Sequence, residues 1–346
     1  MNDNTSFTIA KARKSDEFYT LYEDIMKEME WQFSQNPDVF RGKTILCPCD
    51  DPDRSQFVRY FRDNFGRFGL KRLIATSYVR GGGQFSLDDF LSDRIVSKHG
   101  ILFDMTSDGI VCGELKGDGD FRSSEVCGFR DEADMIITNP PFSLFRTFFK
   151  WCSGKEFMII GNMGAIIYAD VFPHIMNGDV WFGHTIHGGG RHFSVPDDYG
   201  LFADGYTESE EGNTIRVKGV RWFMNAGCRS YPDPLPLDTM QDNLSKERFI
   251  SHIKCTFGLS EYPHYSNYDA IEVPFSENIP SDYDGLMGVP ISFLDKFNPS
   301  QFRLVGITRP WFEDPAEGIT KNLQASVQCA DGSEKAVYTR LLIKRV

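Results

Sequence analysis

The chain has 346 residues, 41% hydrophobic and 25% charged, a globular composition with enough length for one large domain or two. No apolar run approaches the roughly 20 residues that span a bilayer, and residues 1–16 are polar without an apolar core, so no membrane partner and no secretory signal are expected. The formal net charge of −12 argues against a nucleic-acid partner unless basic residues are gathered locally.

Residues 16–33 carry apolar side chains at helical spacing, with Phe18, Leu21, Tyr22, Ile25, Met29 and Phe33 on one face and acids on the other. Residues 44–49 read as a strand broken by Asp50-Asp51-Pro52-Asp53. Residues 55–65 read as a helix with Phe57, Phe61 and Phe65 in one row, and residues 72–78 as a second strand. Strand, helix and strand make a βαβ unit, which predicts a parallel sheet with a right-handed crossover. Gly81-Gly82-Gly83 reads as a loop insertion.

Short strands are expected at 100–103 and 109–112 as a hairpin, followed by a turn-rich loop at 117–121. Further strands are expected at 134–138, 156–161 and 179–182, with helices at 142–151 and 166–176. Beyond about residue 184 the alternation ends, and glycine, proline and aromatic residues dominate. Strands at 302–308 and 336–343 are expected to rejoin a sheet. The reading is α/β, a mostly parallel sheet with a loop-rich α+β region after it. The expected divisions are 1–183 for cofactor binding and catalysis, 184–287 for target recognition, and 288–346 returning to the catalytic sheet.

The eight cysteines form no C-x-x-C pair, and no histidines are spaced around them, so neither zinc nor a disulfide framework is expected. Free thiols in a reducing cytoplasm are the simpler reading. Positive charge does gather between residues 215 and 229, where Arg216, Lys218, Arg221 and Arg229 stand with Trp222 and Phe223 and no acid intervenes.

The chemistry concentrates at Ile136-Ile137-Thr138-Asn139-Pro140-Pro141-Phe142. A β-branched run ends in two prolines, which stop the strand and leave a stiff loop at its carboxyl end. In an open α/β sheet that edge is where ligands bind. Asn139 offers an amide oxygen, Pro140 a backbone carbonyl and Phe142 a flat apolar face. That set suits an exocyclic amine on a planar ring.

These residues resemble the Asn-Pro-Pro-aromatic motif of S-adenosylmethionine-dependent N6-adenine methyltransferases. Asp16-Glu17-Phe18-Tyr19-Thr20, Ile45-Leu46-Cys47-Pro48-Cys49-Asp50-Asp51-Pro52, Gly117-Asp118-Gly119-Asp120-Phe121 and Gly288-Val289-Pro290-Ile291 are similar, in the same order, to elements of the EcoRI-type adenine-specific DNA methyltransferase family. The resemblance implies a Rossmann-like class I methyltransferase fold, S-adenosylmethionine as cofactor and double-stranded DNA as substrate. A companion restriction endonuclease and the oligomeric state stay open.

In that family the motif's Asn side chain and first Pro carbonyl accept the two amino hydrogens, which implies catalytic roles for Asn139, Pro140, Pro141 and Phe142. The resemblance also places Phe18, Tyr19 and Thr20 near the cofactor and implies contacts from Asp120 and Phe121; backbone amides at Asp50 to Asp53 after the first strand are expected around its methionine portion, with Cys49, Asp51, Pro52 and Tyr78 in the same cofactor set. In that reading Asp120 accepts from the cofactor adenine and Phe121 stacks on it. Arg191, His192, Arg216, Lys218, Arg221 and Arg229 are the candidate DNA contacts.

Two departures stand out. Cys49-Asp50-Asp51-Pro52 occupies the place of the usual glycine-rich loop. Ser77-Tyr78 ends the second strand without the acid that commonly holds ribose hydroxyls. Pro48-Cys49 also matches the nucleophile of cytosine-C5 methyltransferases, but the Glu-Asn-Val element that accompanies it is absent. RNA adenine, a protein glutamine amide, or a catalytically silent DNA-binding protein are the alternatives, since the first two also present an amine on an sp2 carbon.

Overall fold

A computed structural model describes residues 19–79, 99–195, 206–207, 213–319 and 324–346. In chain order the elements are β1 (Tyr19–Thr20), α1 (Tyr22–Gln35), β2 (Thr44–Cys47), α2 (Gln56–Asp63), α3 (Phe65–Phe68), β3 (Arg72–Thr76), β4 (Ile101–Thr106), β5 (Gly109–Glu114), α4 (Ser124–Glu132), β6 (Met135–Thr138), α5 (Phe145–Trp151) and β7 (Glu156–Asn162). They continue with α6 (Phe172–Asn177), β8 (Trp181–Phe182), β9 (Gly190–Ser194), β10 (Tyr206–Thr207), β11 (Thr214–Lys218), β12 (Val220–Met224), α7 (Met240–Ser245), α8 (Glu247–Phe257), β13 (Ala270–Glu272), β14 (Leu286–Pro290), β15 (Phe302–Ile307), β16 (Ser326–Gln328), β17 (Glu334–Ala336) and β18 (Arg340–Arg345).

The chain divides into two compact units. One comprises residues 1–162 and 181–229, the other residues 163–180 and 230–346. The first is built on an eight-stranded sheet in the order β5-β4-β3-β2-β6-β7-β12-β8. Its centre, β3-β2-β6-β7, is parallel throughout, and its flanks are antiparallel. The sheet is therefore mixed, and the expected parallel character is confined to four central strands. Those strands are apolar runs buried along nearly their whole length, as a sheet covered on both faces requires. Between β2 and β6 the strand order reverses direction, and at such a point an open α/β sheet binds its ligands at the carboxyl edge.

A second sheet in this unit has the order β1-β9-β11-β10 and is antiparallel. Alternation orders its two faces. Phe193, Ile215 and Val217 point inward and join the hydrophobic core, whereas His192, Arg216 and Lys218 are exposed on the other face. Helix α1 anchors its neighbours. Glu28, fully buried, accepts from the amides of His184 (3.0 Å) and Thr185 (2.8 Å), from Thr185 Oγ1 (2.6 Å) and from Gln32 Nε2 (3.1 Å). Gln32 in turn accepts from the Cys228 amide at 2.7 Å and donates to its carbonyl at 3.2 Å. One helical turn thus fixes the chain on both sides of the β9–β11 ribbon.

The second unit carries its own four-stranded sheet, β13-β14-β18-β15. Residues 302–307 and 340–345 do form strands, but they pair with each other in this sheet rather than returning to the eight-stranded one, which corrects that expectation. The boundaries read at 183 and 287 also differ from the observed division, because residues 184–229 pack within the first unit. Glu272 is buried in the second unit, where it accepts from Arg340 (2.6 and 3.0 Å) and from the Tyr265 hydroxyl. Among the described residues no helix is long and apolar enough to cross a membrane, and no metal-ligand cluster forms.

Candidate active site

Three loops meet at the carboxyl edge of the parallel core. The first comes after β2. Ser55 caps α2, its Oγ accepting from the amides of Phe57 (3.1 Å) and Val58 (3.5 Å). Asp50 lies beneath it with only 5% of its surface exposed. Its Oδ1 accepts from Ser55 Oγ at 2.6 Å and its Oδ2 from Thr138 Oγ1 at 2.5 Å. Burial pushes its carboxyl up to about 6 against the pull of the two hydroxyl donors. Asp50 therefore turns its carboxylate inward.

The backbone amides of this loop are also largely engaged. Asp50 N donates to Thr76 O (3.1 Å), Asp53 N to Asp51 Oδ1 (3.0 Å), and Arg54 N and Ser55 N to Asp51 O (3.1 and 2.8 Å). Asp51 and Pro52 remain partly exposed at the loop's tip. Cys49 sits between Asp50 and Asp120. Burial first, then Asp50, Cys152 and Asp120, push its thiol well up, which disfavours the thiolate.

The second loop spans residues 116–123 and is wired from within. Glu125 accepts from the amides of Lys116 and Gly117, and Asp118 Oδ1 from Asp120 N at 3.0 Å. Arg122 donates from its amide (2.8 Å) and guanidinium (2.5 to 3.2 Å) to Asp120, which holds that carboxyl below the usual range. Gly119 lies over the Ser77 carbonyl with φ +82. Tyr78, 47% exposed, stands beside Arg122. Asp120 and Tyr78 are thus an ionised acceptor and an accessible ring on adjoining loops. Phe121 is different. It is 4% exposed and packs edge-on against Phe148 (5.1 Å) and Trp151 (5.7 Å) in the core. A ring so enclosed offers no face to a purine, so the expected stacking role is corrected to a packing one.

The third loop comes after β6. Pro140 is buried, Asn139, Pro141 and Phe142 are partly buried, and a 3-10 turn at Phe142–Leu144 leads into α5. A residue before proline is held extended, so Asn139 is restrained by the Pro140 ring and Pro140 by the Pro141 ring. Phe142 packs against the core and meets Phe193 of β9 edge-on at 6.2 Å. Thr20 pairs with Phe193 across β1 and β9, and β1 lies against α2. Thr20 Oγ1 is buried and has no hydrogen-bond partner among the described residues. Phe18 lies outside the described residues, as do Asp16, Glu17 and the triple glycine at 81–83, whereas Tyr19 belongs to β1.

The structure brings together Thr20, residues 49–52, Tyr78, Asp120 and residues 139–142 in the first unit. It separates the basic residues. Arg216, Lys218 and His192 share the exposed ribbon face. Arg191 points inward and donates to the Thr185 carbonyl at 3.3 Å. Arg229 lies over the Trp181 ring at 5.7 Å. Arg221 is 3% exposed on β12 inside the main sheet, so it is removed from the candidate DNA contacts. Sequence reasoning missed Ser55, Thr138, Arg122 and Phe193. The alternation of β9, with Arg191 and Phe193 on one face, is the signal that marks the last.

Comparison with known proteins identifies the family. The family model described as adenine-specific methyltransferase EcoRI matches residues 6–346. The chain is 36% identical to Type II methyltransferase M.EcoRI of Escherichia coli, over 97% of this chain and 94% of that one. It is 32% identical to a Type II methyltransferase of Mycoplasma genitalium and to Type II methyltransferase M.MpnI of Mycoplasma pneumoniae, each over 98% of both chains. No solved structure matches significantly. The chain belongs to the adenine-specific methyltransferase EcoRI family and is a DNA adenine methyltransferase.

Proposed function

We propose that the protein transfers a methyl group from S-adenosylmethionine to adenine N6 in a specific duplex sequence, using the loop at residues 139–142 to hold the amino group. The observation that carries this reading is the position of Asn139-Pro140-Pro141-Phe142 at the reversal point of the sheet, beside the loops after β2 and β3. The reading takes the eight-stranded sheet as the core of a Rossmann-like class I methyltransferase.

The local chemistry fits the cofactor. The orphaned Thr20 hydroxyl is a buried polar atom in want of a partner, and Asp120 is a fixed, ionised acceptor. Thr20 and Tyr19, Cys49, Asp51 and Pro52 at the loop tip, Tyr78 and Asp120 would hold it. When bound, S-adenosylmethionine supplies a methyl carbon on a positively charged sulfur.

The protein's own part is positioning. Adenine N6 is a poor nucleophile because its lone pair is delocalised into the ring. The Asn139 amide oxygen and the Pro140 carbonyl accept its two hydrogens from different sides. That favours a pyramidal nitrogen with its lone pair directed at the methyl carbon. Phe142 supports the face of the base. No covalent intermediate is needed, and the barrier falls through orientation and preformed acceptors. In a duplex the target must first leave the stack, at roughly a few kcal/mol.

DNA, rather than RNA or a protein amide, is favoured by family membership and by the ribbon face, which offsets the acidic net charge locally. We assign phosphate contact to Arg216 and Lys218, with His192 beside them, and target recognition to the region after residue 184. The Type II designation of the relatives supports a restriction–modification setting, with an endonuclease as companion.

Transfer of labelled methyl into unmethylated duplex DNA, digested to nucleosides, tests the reading. N6-methyladenine is the expected product; label in cytosine, or in RNA or protein with none in DNA, would refute it. Removing both Arg216 and Lys218 side chains to alanine is expected to weaken DNA binding and reduce the salt slope by about two, one per phosphate lost. An unchanged slope would take the ribbon out of the DNA interface.

A further inference from the structure

We propose that Asp50 is a positioning residue whose carboxylate, clamped between the Ser55 and Thr138 hydroxyls, sets the placement of Asn139. The backbone pairing of β2 with β6 covers Ile45 with Met135 and Leu46 with Ile136. It stops two residues short of Thr138, at the reversal point of the strand order. The Asp50 carboxylate takes over the connection there. It receives Thr138 Oγ1 at 2.5 Å and Ser55 Oγ at 2.6 Å. Its own amide is tied to Thr76 O at 3.1 Å, and Thr76 Oγ1 donates to Pro48 O at 3.1 Å. The end of β6 is thereby joined through one side chain to the N-terminus of α2, the backbone amide of the same residue holds the end of β3, and Thr138 is the residue immediately before Asn139.

Energetics favour a geometric role. No cation figures among the groups that set the ionisation of Asp50; the nearby charge is that of Asp51, which opposes it. A buried acid without a countercharge is a poor stabiliser, and what it provides is two fixed, directional acceptors. An asparagine of the same size keeps one acceptor. Ser55 Oγ already accepts from two amides, so its hydrogen would claim the remaining oxygen. The amide nitrogen would then face Thr138 Oγ1, whose hydrogen loses its acceptor. The link survives only with its polarity reversed, the amide donating to Thr138 Oγ1, and the charge-assisted bond on the side that leads to Asn139 is lost.

This inference rests on the reading of Asn139 as the acceptor of the amino group, and its test is separable from that one. The experiment measures kcat, KM for DNA and calorimetric cofactor affinity for Asp50→Asn, Thr138→Val and Thr138→Ser in the full chain. Asp50→Asn and Thr138→Val are each expected to lower kcat about 10- to 100-fold, the scale of a misplacement near 1 Å, with cofactor affinity within about twofold. Thr138→Ser keeps the hydroxyl and is expected to recover most of the rate. The double variant should cost no more than the worse single one, because both break the same connection.

Should Asp50→Asn fail to fold, the Val and Ser pair at residue 138 carries the test, since both nearly preserve volume. Unchanged kcat in Thr138→Val would overturn the proposal. So would a tenfold loss of cofactor affinity in Asp50→Asn with kcat intact at saturation. If an alanine at residue 139 left transfer untouched, the reading of Asn139 would fall instead, whatever these variants show.

Discussion

Replacing Asn139 by alanine is expected to slow methyl transfer by about 10³-fold in single-turnover measurements, the scale seen when one preorganised polar contact to a reacting centre is removed. Cofactor affinity should stay within about twofold, because Asn139 comes directly after β6 while Thr20, Tyr78 and Asp120 are carried by other elements. The split between the two readouts is the point of the measurement. A truncated core residue lowers both through stability, whereas loss of an acceptor that acts only on the target amine lowers the rate alone. Transfer near the wild-type rate would remove Asn139 from the chemistry. A parallel collapse of cofactor binding would mark it as structural.

Gly119→Ala is expected to be the most damaging single substitution of the cofactor loops. A Cβ there would lie 1.9 Å from the Ser77 carbonyl oxygen and 2.9 Å from its carbon, both backbone atoms, and the residue's φ of +82 already disfavours any side chain. Strain and overpacking together amount to about 2–4 kcal/mol. Relief requires the 117–121 turn to lift from β3, which carries Asp120 away from Tyr78. Denaturant unfolding should show the lost stability, and calorimetry at least tenfold weaker cofactor binding. Gly117→Ala provides the control, since nothing lies within 4 Å of its added carbon and its φ is not positive. If alanine at 119 were as stable and as tight-binding as alanine at 117, the close packing described for this loop would be wrong.

The central strands were legible because their apolar runs are long enough to require cover on both faces, and the proline pair marked where β6 must stop. The start of α2 was legible to within one residue, the helix read from 55 beginning at Gln56. What escaped was everything decided by distant pairing. Residues 220–224 read as part of a basic patch, yet the run from Val220 to Met224 is the signature of a central strand. An arginine inside it is carried into the sheet. In the strand just before it, Thr214–Lys218 alternates cleanly, so Arg216 and Lys218 emerge to solvent. The inward turn of Asp50 was equally hidden, because its partner Thr138 is 88 residues away. The enclosure of Phe121 depends on α5, whose Phe148 and Trp151 close over it. The late strands matched each other rather than the main sheet, a choice that local periodicity does not encode.

The two successive prolines have a thermodynamic corollary. Neither ring can rotate about its N–Cα bond, and each also narrows the freedom of the residue before it, so residues 139–141 have little disorder left to surrender when a base arrives. On the proposed reading, the ordering penalty at this loop is small and most of the cost falls on the nucleic acid, which must unstack and unpair. The ease with which a given DNA step releases its adenine then adds, on that reading, to the discrimination made by the target-recognition region.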